Sequence, residues 1–236
     1  MNNLIKLFKA ESLKMKHTLF LPAHLIIPII GTLLFLLYSS ICGWNNHVAI
    51  SSFIQIISIL FPLIGTFMVS WNLDNEEKAG NFQVLLVQRQ SRVAVFFIKI
   101  IYLYGMGILS CFVAFFIYYI RFSKMDIGFY LKIFLTVCLC QSIEYLIHVF
   151  LRIRFGTGIT IGFGILEFLI SALMITGLGE GRWMFFPAAW AVRITGYQLL
   201  RISRNELPWV LIYAILLIIL FILFSRKFES NKSSLG

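Results

Sequence analysis

Charge is what this sequence has least of: 13% of its 236 residues are charged against 60% apolar, and the acids number only ten. A soluble domain of this size cannot hide that much apolar surface in one core, so the chain reads as solvated by lipid. A phosphate-binding loop is also missing. No Gly-x-x-x-x-Gly-Lys-Ser/Thr run occurs, so any ATP must be hydrolysed by another chain. Nor is there a CxxC pair: Cys42, Cys111, Cys138 and Cys140 lie in or beside apolar runs. They read as small lipid-compatible residues rather than as a disulfide framework or a metal site. The net charge of +10 does not indicate nucleic acid, because the basic residues fall between long apolar runs, as membrane-flanking loops do.

Crossing a hydrocarbon core of about 30 Å takes about 20 apolar residues. Six such runs occur, at approximately 19–41, 50–71, 95–120, 129–150, 158–178 and 208–224. The expected fold is an all-α membrane protein, one transmembrane domain over 1–236. The first run is too long for a cleaved signal core, and bulky Ile41 precedes Cys42 where lipoprotein processing needs a small side chain, so it stays as a span. With the N-terminus inside, thirteen of the 20 Lys and Arg residues are cytoplasmic, and an even number of spans returns the C-terminus inside as well. Gly158 and Gly162, four apart on the fifth run, are expected to let helix backbones approach closely.

Outside the spans, residues Asn2 to Lys16 read as an N-terminal interfacial helix. Leu4, Ile5, Leu7, Phe8 and Met15 share one face, Lys6, Lys9 and Lys16 lie opposite, and Glu11, Leu13 and Lys14 interrupt the pattern. The segment from Asn72 to Arg92 is expected to be a cytoplasmic loop, with Asp74, Glu76 and Glu77 leading into an amphipathic stretch where Phe82, Leu85 and Leu86 share a helix face. That face has either a partner to dock on or the membrane interface to dip into. Between the fifth and sixth runs, Gly179 to Leu207 contains a core, Trp183 to Arg193, that is too short to cross and too apolar for a free loop. It is expected to be re-entrant-like in the outer leaflet, with Trp183 and Trp190 at the headgroup boundary. The last dozen residues read as a disordered tail.

Ionisable residues at membrane depth are costly and mark candidate sites. Glu144, His148 and Arg152 stand four apart on the fourth run, and Glu167 lies on the fifth. The expectation is a structural ladder of paired charges on one stripe, in which the fourth and fifth spans bring Glu167 to the others. A catalytic or metal-binding use of Glu144 and His148 is the lesser alternative, because His17, His24 and His47 all lie near the first span. No catalytic or metal-ligating residue is therefore assigned.

The run Glu77-Lys-Ala-Gly80-Asn-Phe82-Gln-Val-Leu85-Leu86, followed by Ser91-Arg92 and Lys99, resembles the coupling segment of type-2 ABC-transporter permeases. Those show a Glu, a Gly three residues on, a Leu-rich helix, Ser-Arg, and a Lys opening the third span. The Gly-Asn-Phe-Gln wording and the aromatic-Pro-aromatic external segment are similar to permease subunits of lantibiotic self-immunity exporters. Arg89 departs from the family, where Pro is frequent, and Asn81 replaces a common Thr. The resemblance implies a bacterial cytoplasmic-membrane subunit paired with a second, related but different permease. It implies two copies of a separate ABC ATPase, which bind the ATP and Mg and dock at Glu76, Glu77, Gly80, Phe82, Leu85, Leu86, Ser91 and Arg92. This chain would then be no enzyme and hold no cofactor. The implied cargo is a cationic amphipathic peptide, met by Trp183, Phe185, Phe186 and Trp190 and expelled from the lipid. Two other classes stay open: a secondary transporter coupling protons through Glu144, His148 and Glu167, and an intramembrane enzyme.

Overall fold

The computed structural model describes residues 2–16, 18–78, 92–121, 126–202, 208, 210–216 and 218–219. Its helices are α1 (Asn2–Met15), α2 (Phe20–Ile41), α3 (Asn46–Lys78), α4 (Arg92–Arg121), α5 (Ile127–Phe155), α6 (Thr157–Met174) and α7 (Pro187–Leu200). No strand occurs among the described residues. Five of these helices, α2 to α6, are long and apolar enough to cross a membrane. They coincide with the first five expected spans. Of the sixth, residues 208, 210–216 and 218–219 are helical, and the remainder lies outside the described residues.

Helix lengths set the geometry. At about 1.5 Å per residue the 33 residues of α3 rise roughly 50 Å, well beyond a hydrocarbon core of about 30 Å. The helix does not stop at Trp71 but runs on through Asn72, Asp74, Glu76 and Glu77 to Lys78. The first part of the expected cytoplasmic loop is therefore a protruding helical strut. Glu and Lys are good helix formers once a helix is under way, so the end of hydropathy is not the end of the helix. Gly156, at φ +85°, makes the single-residue connection between α5 and α6, a conformation that only glycine adopts at little cost. The two helices are thereby antiparallel neighbours. At the other end of α5, Asp126 caps the helix by accepting the Gly128 N–H.

In the core, α3 packs against α6, α5 and α7, and α2 packs mainly against α4. The close approach between α3 and α6 is made at Gly164, where a Cβ would fall 2.3 Å from Thr66 Cγ2. Among the described residues no atom lies within 4 Å of a Cβ position at Gly158 or Gly162, so the expected pair is not where α3 and α6 meet. Beside Gly164 the Thr66 hydroxyl donates to the Thr160 carbonyl at 2.9 Å. The four cysteines are free thiols.

Candidate functional site

Two ionic clusters hold the strut of α3 at the end of the bundle where α1 lies. In the first, Lys99 on α4 donates to Glu11 Oε2 of α1 at 2.7 Å and to Glu76 Oε1 of α3, while Lys14 reaches Glu11 at 2.9 Å and Glu76 at 3.0 Å. Lys99, Glu11 and the Glu76 carboxylate are buried. The cluster pins α1, α3 and α4 together. Glu11 and Lys14, which interrupt the amphipathic pattern of α1, are two of its four members. A lone acid on an otherwise apolar and basic helix, set against a lysine at the start of an apolar span, was the available signal.

Burial alone would raise the Glu11 carboxyl, but the Lys99 and Lys14 ammoniums outweigh it and hold it below its ordinary 4.5. Burial alone would lower Lys14, but Glu11 and Glu76 outweigh that and hold it above its ordinary 10.5. A depressed acid adds stability that is present above pH 4.5 and lost as pH falls through its folded value. A raised lysine adds stability that is present below pH 10.5 and lost as pH rises past its folded value. The α1 clamp is therefore expected at full strength between those limits. Thermal midpoints measured against pH should fall on the acid side, and Glu11→Gln should flatten that limb. An acid limb identical in Glu11→Gln would show that this cluster does not set it.

In the second cluster Arg152, fully buried on α5, donates to Glu77 Oε2 at 2.5 Å and to Asp74 Oδ1, and Thr157 at the start of α6 donates to the same Asp74 oxygen at 3.0 Å. The strut is thus tied to α1 and α4 on one side and to α5 and α6 on the other. Of the residues expected to couple to an ATPase, Glu76 and Glu77 sit on the strut. Gly80, Phe82, Leu85, Leu86 and Ser91 lie outside the described residues, and Arg92 opens α4 with its side chain likewise undescribed.

The expected approach of Glu167 to the stripe is found at His148, but the charges are not paired along α5 itself. Glu144, His148 and Arg152 do share a buried stripe of α5, but His148 Nε2 meets Glu167 Oε2 of α6 at 2.5 Å, and Arg152 turns to α3. Neither Glu144 oxygen has a hydrogen-bond partner among the described residues, and the same holds for both amide atoms of Gln141 one turn away. Side chains four apart on a helix inside a bundle face neighbouring helices, which compete for them successfully here. Glu144→Gln, which keeps the shape and replaces a carboxyl that has no hydrogen-bond partner among the described residues, is accordingly expected to leave thermal stability unchanged or higher. A loss above about 1 kcal/mol in membranes with normal protein abundance would reveal a partner for the carboxylate. No group of three or more His, Cys, Asp or Glu residues is placed to hold a metal among the described residues.

The expected external segment is a folded part of the bundle. After α6 the chain makes short 3-10 turns at Gly177–Gly179 and Trp183–Phe185, then enters α7 with Pro187 in its first turn. Arg193 donates to the carbonyls of Met174 and, at 2.6 Å, Thr176, and pairs with Glu180 at 3.0 Å. It thereby satisfies backbone acceptors at the end of α6 that lipid would leave bare. Ser171 donates to Ala188 O at 2.6 Å, and Trp190 Nε1 to Met184 O at 2.8 Å. Trp183 and Trp190 are each 1% exposed and pack in the core, so neither presents its ring at the surface of this structure. Of the four expected contacts only Phe185, 56% exposed, and Phe186, 36% exposed, offer a surface. No protein-family model, curated protein or solved structure matches this chain.

Proposed function

We propose that this chain is the membrane-spanning subunit of an ABC exporter that removes a cationic antimicrobial peptide of the lantibiotic kind from the membrane and so gives self-immunity. The observation that supports the reading best is the doubly clamped strut. Residues 79–91, where the coupling resemblance is concentrated, follow directly on an α3 helix fixed by Lys99 to α1 and α4, by Arg152 to α5 and by Thr157 to α6. A push delivered there is passed to five helices together rather than absorbed in a flexible tether. On this reading the strut end is cytoplasmic, two copies of a separate ATPase dock beneath it, and a second, related permease completes the pore.

The test is association. A tagged chain in native membranes is expected to co-purify an ABC ATPase. Leu85→Asp is expected to abolish that association at normal abundance, because it places a charge on the docking face. Glu77 is a poorer target: its carboxylate accepts from Arg152, so reversal would strain the α3 to α5 contact as well. Undiminished ATPase recovery with Leu85→Asp would remove the coupling assignment. Glu144, buried with no hydrogen-bond partner among the described residues, keeps proton-coupled secondary transport as the second reading, and that reading expects activity with no ATPase present.

A further inference from the structure

α2 is lightly embedded: of its 22 residues only Phe20, His24, Thr32, Phe35 and Ser39 are buried. It also carries Pro28 in its interior. Proline has no N–H, so the His24 carbonyl one turn earlier loses its intrahelical donor, and at membrane depth water does not replace it. The Ser110 hydroxyl of α4 takes that place, donating to the His24 carbonyl at 2.8 Å. Its other acceptor is the Met106 carbonyl of its own helix, at 3.2 Å. The link to α2 can therefore be released without stranding the donor.

The neighbouring helix is broken too, by Pro62 of α3. Phe35 meets Phe53 with ring centres 5.4 Å apart and Phe20 meets Trp71 at 6.3 Å, and this antiparallel register sets Pro28 level with Pro62. Between the two helices and α4 lies a slot of about 270 Å³ whose wall includes Pro28 and Gly31 of α2. The two sides of the slot are held differently. Beyond Pro62, α3 is clamped by Lys99 and Arg152, whereas α2 is held at its ends, by Phe20 against Tyr102 and Trp71 and by Phe35 against Phe53 and Tyr118. Freedom is thus concentrated in the middle of α2, where Pro28 interrupts the hydrogen-bond ladder, Gly31 follows three residues on, and empty volume lies alongside.

We infer that α2 is the movable wall of this slot: it bends at Pro28, so that the slot widens or narrows, and Ser110 is the positioning residue that latches it in the form seen here. Opening the latch leaves the His24 carbonyl bare, which makes the latched form the major one. The inference rests on the membrane setting of α2 to α4 and is independent of the exporter reading.

The test uses the full chain in nanodiscs, with exposed Cys42 changed to Ser and spin labels attached at Ile30→Cys of α2 and Phe67→Cys of α3, both exposed positions. The label-to-label distance distribution is expected to show one major and one minor distance. Ser110→Ala is expected to raise the minor population about two- to tenfold, the worth of one neutral hydrogen bond, and Ser110→Thr, which keeps the hydroxyl, to leave it near that of the parent. Pro28→Ala returns an N–H to the helix, so it is expected to leave a single distance, and adding Ser110→Ala to it is expected to change nothing. A distribution unchanged by Ser110→Ala would overturn the latch. The same shift from Ser110→Ala with and without Pro28→Ala would show that Ser110 does not act at the proline break, and would overturn the hinge.

Discussion

Lys99→Met is expected to lower the stability of the folded chain by about 3 to 5 kcal/mol, the usual result of removing one partner from a buried ion pair. The reason is local. Lys99 is buried between Glu11 and Glu76, and without it only the half-exposed Lys14 remains to face two carboxylates. Converting Glu11 and Glu76 to Gln in the same chain removes the stranded charges and is expected to restore most of the loss. Thermal unfolding of the purified protein in nanodiscs would measure both. A change below about 1 kcal/mol for Lys99→Met would mean that water reaches the cluster and screens it, as at an exposed pair, and that the strut is not anchored from the α1 side.

The second large effect separates packing from cargo contact in the segment after α6. Trp183→Ala and Trp190→Ala each empty a fully buried aromatic site and are expected to cost about 3 to 5 kcal/mol, with abundance falling in step. Phe185→Ala with Phe186→Ala removes exposed rings instead, and thermal stability should stay near that of the parent chain. If those two rings meet an amphipathic peptide, each contributes on the order of 1.5 to 3 kcal/mol of burial. Protection against a panel of pore-forming peptides should then fall at least tenfold, since about 1.4 kcal/mol is one factor of ten. Full protection in the double Phe variant would remove this surface as the cargo contact. A stable Trp190→Ala chain would contradict the packing around α7.

The spans were legible because lipid demands unbroken apolar runs, and α2 to α6 fall where those runs lie. What escaped the sequence depends on neighbours. Hydropathy fades at Trp71 while the α3 hydrogen-bond ladder continues to Lys78, so hydropathy alone places a loop where the strut stands. The stripe of Glu144, His148 and Arg152 and the approach of Glu167 to it were legible, yet the partners of Arg152, Asp74 and Glu77, come from α3 and were not. Tryptophans near an external turn suit a headgroup boundary as well as a core. The deciding signal was Ala188, Ala189 and Ala191 around Trp190, small residues that let α7 sink against α5. Glu11 and Lys14 looked like noise in an amphipathic helix because the residue they answer, Lys99, is 88 positions from Glu11.

The exporter reading is tested most directly by rebuilding transport. The chain would be reconstituted in proteoliposomes together with the ATPase and second permease that co-purify with it. A fluorescent cationic pore-forming peptide would then be loaded into the bilayer and its release to the medium followed. The account predicts release that requires ATP hydrolysis, stops with Leu85→Asp, and is indifferent to an imposed proton gradient. Release driven by a proton gradient through this chain alone, with no ATPase present, would contradict it.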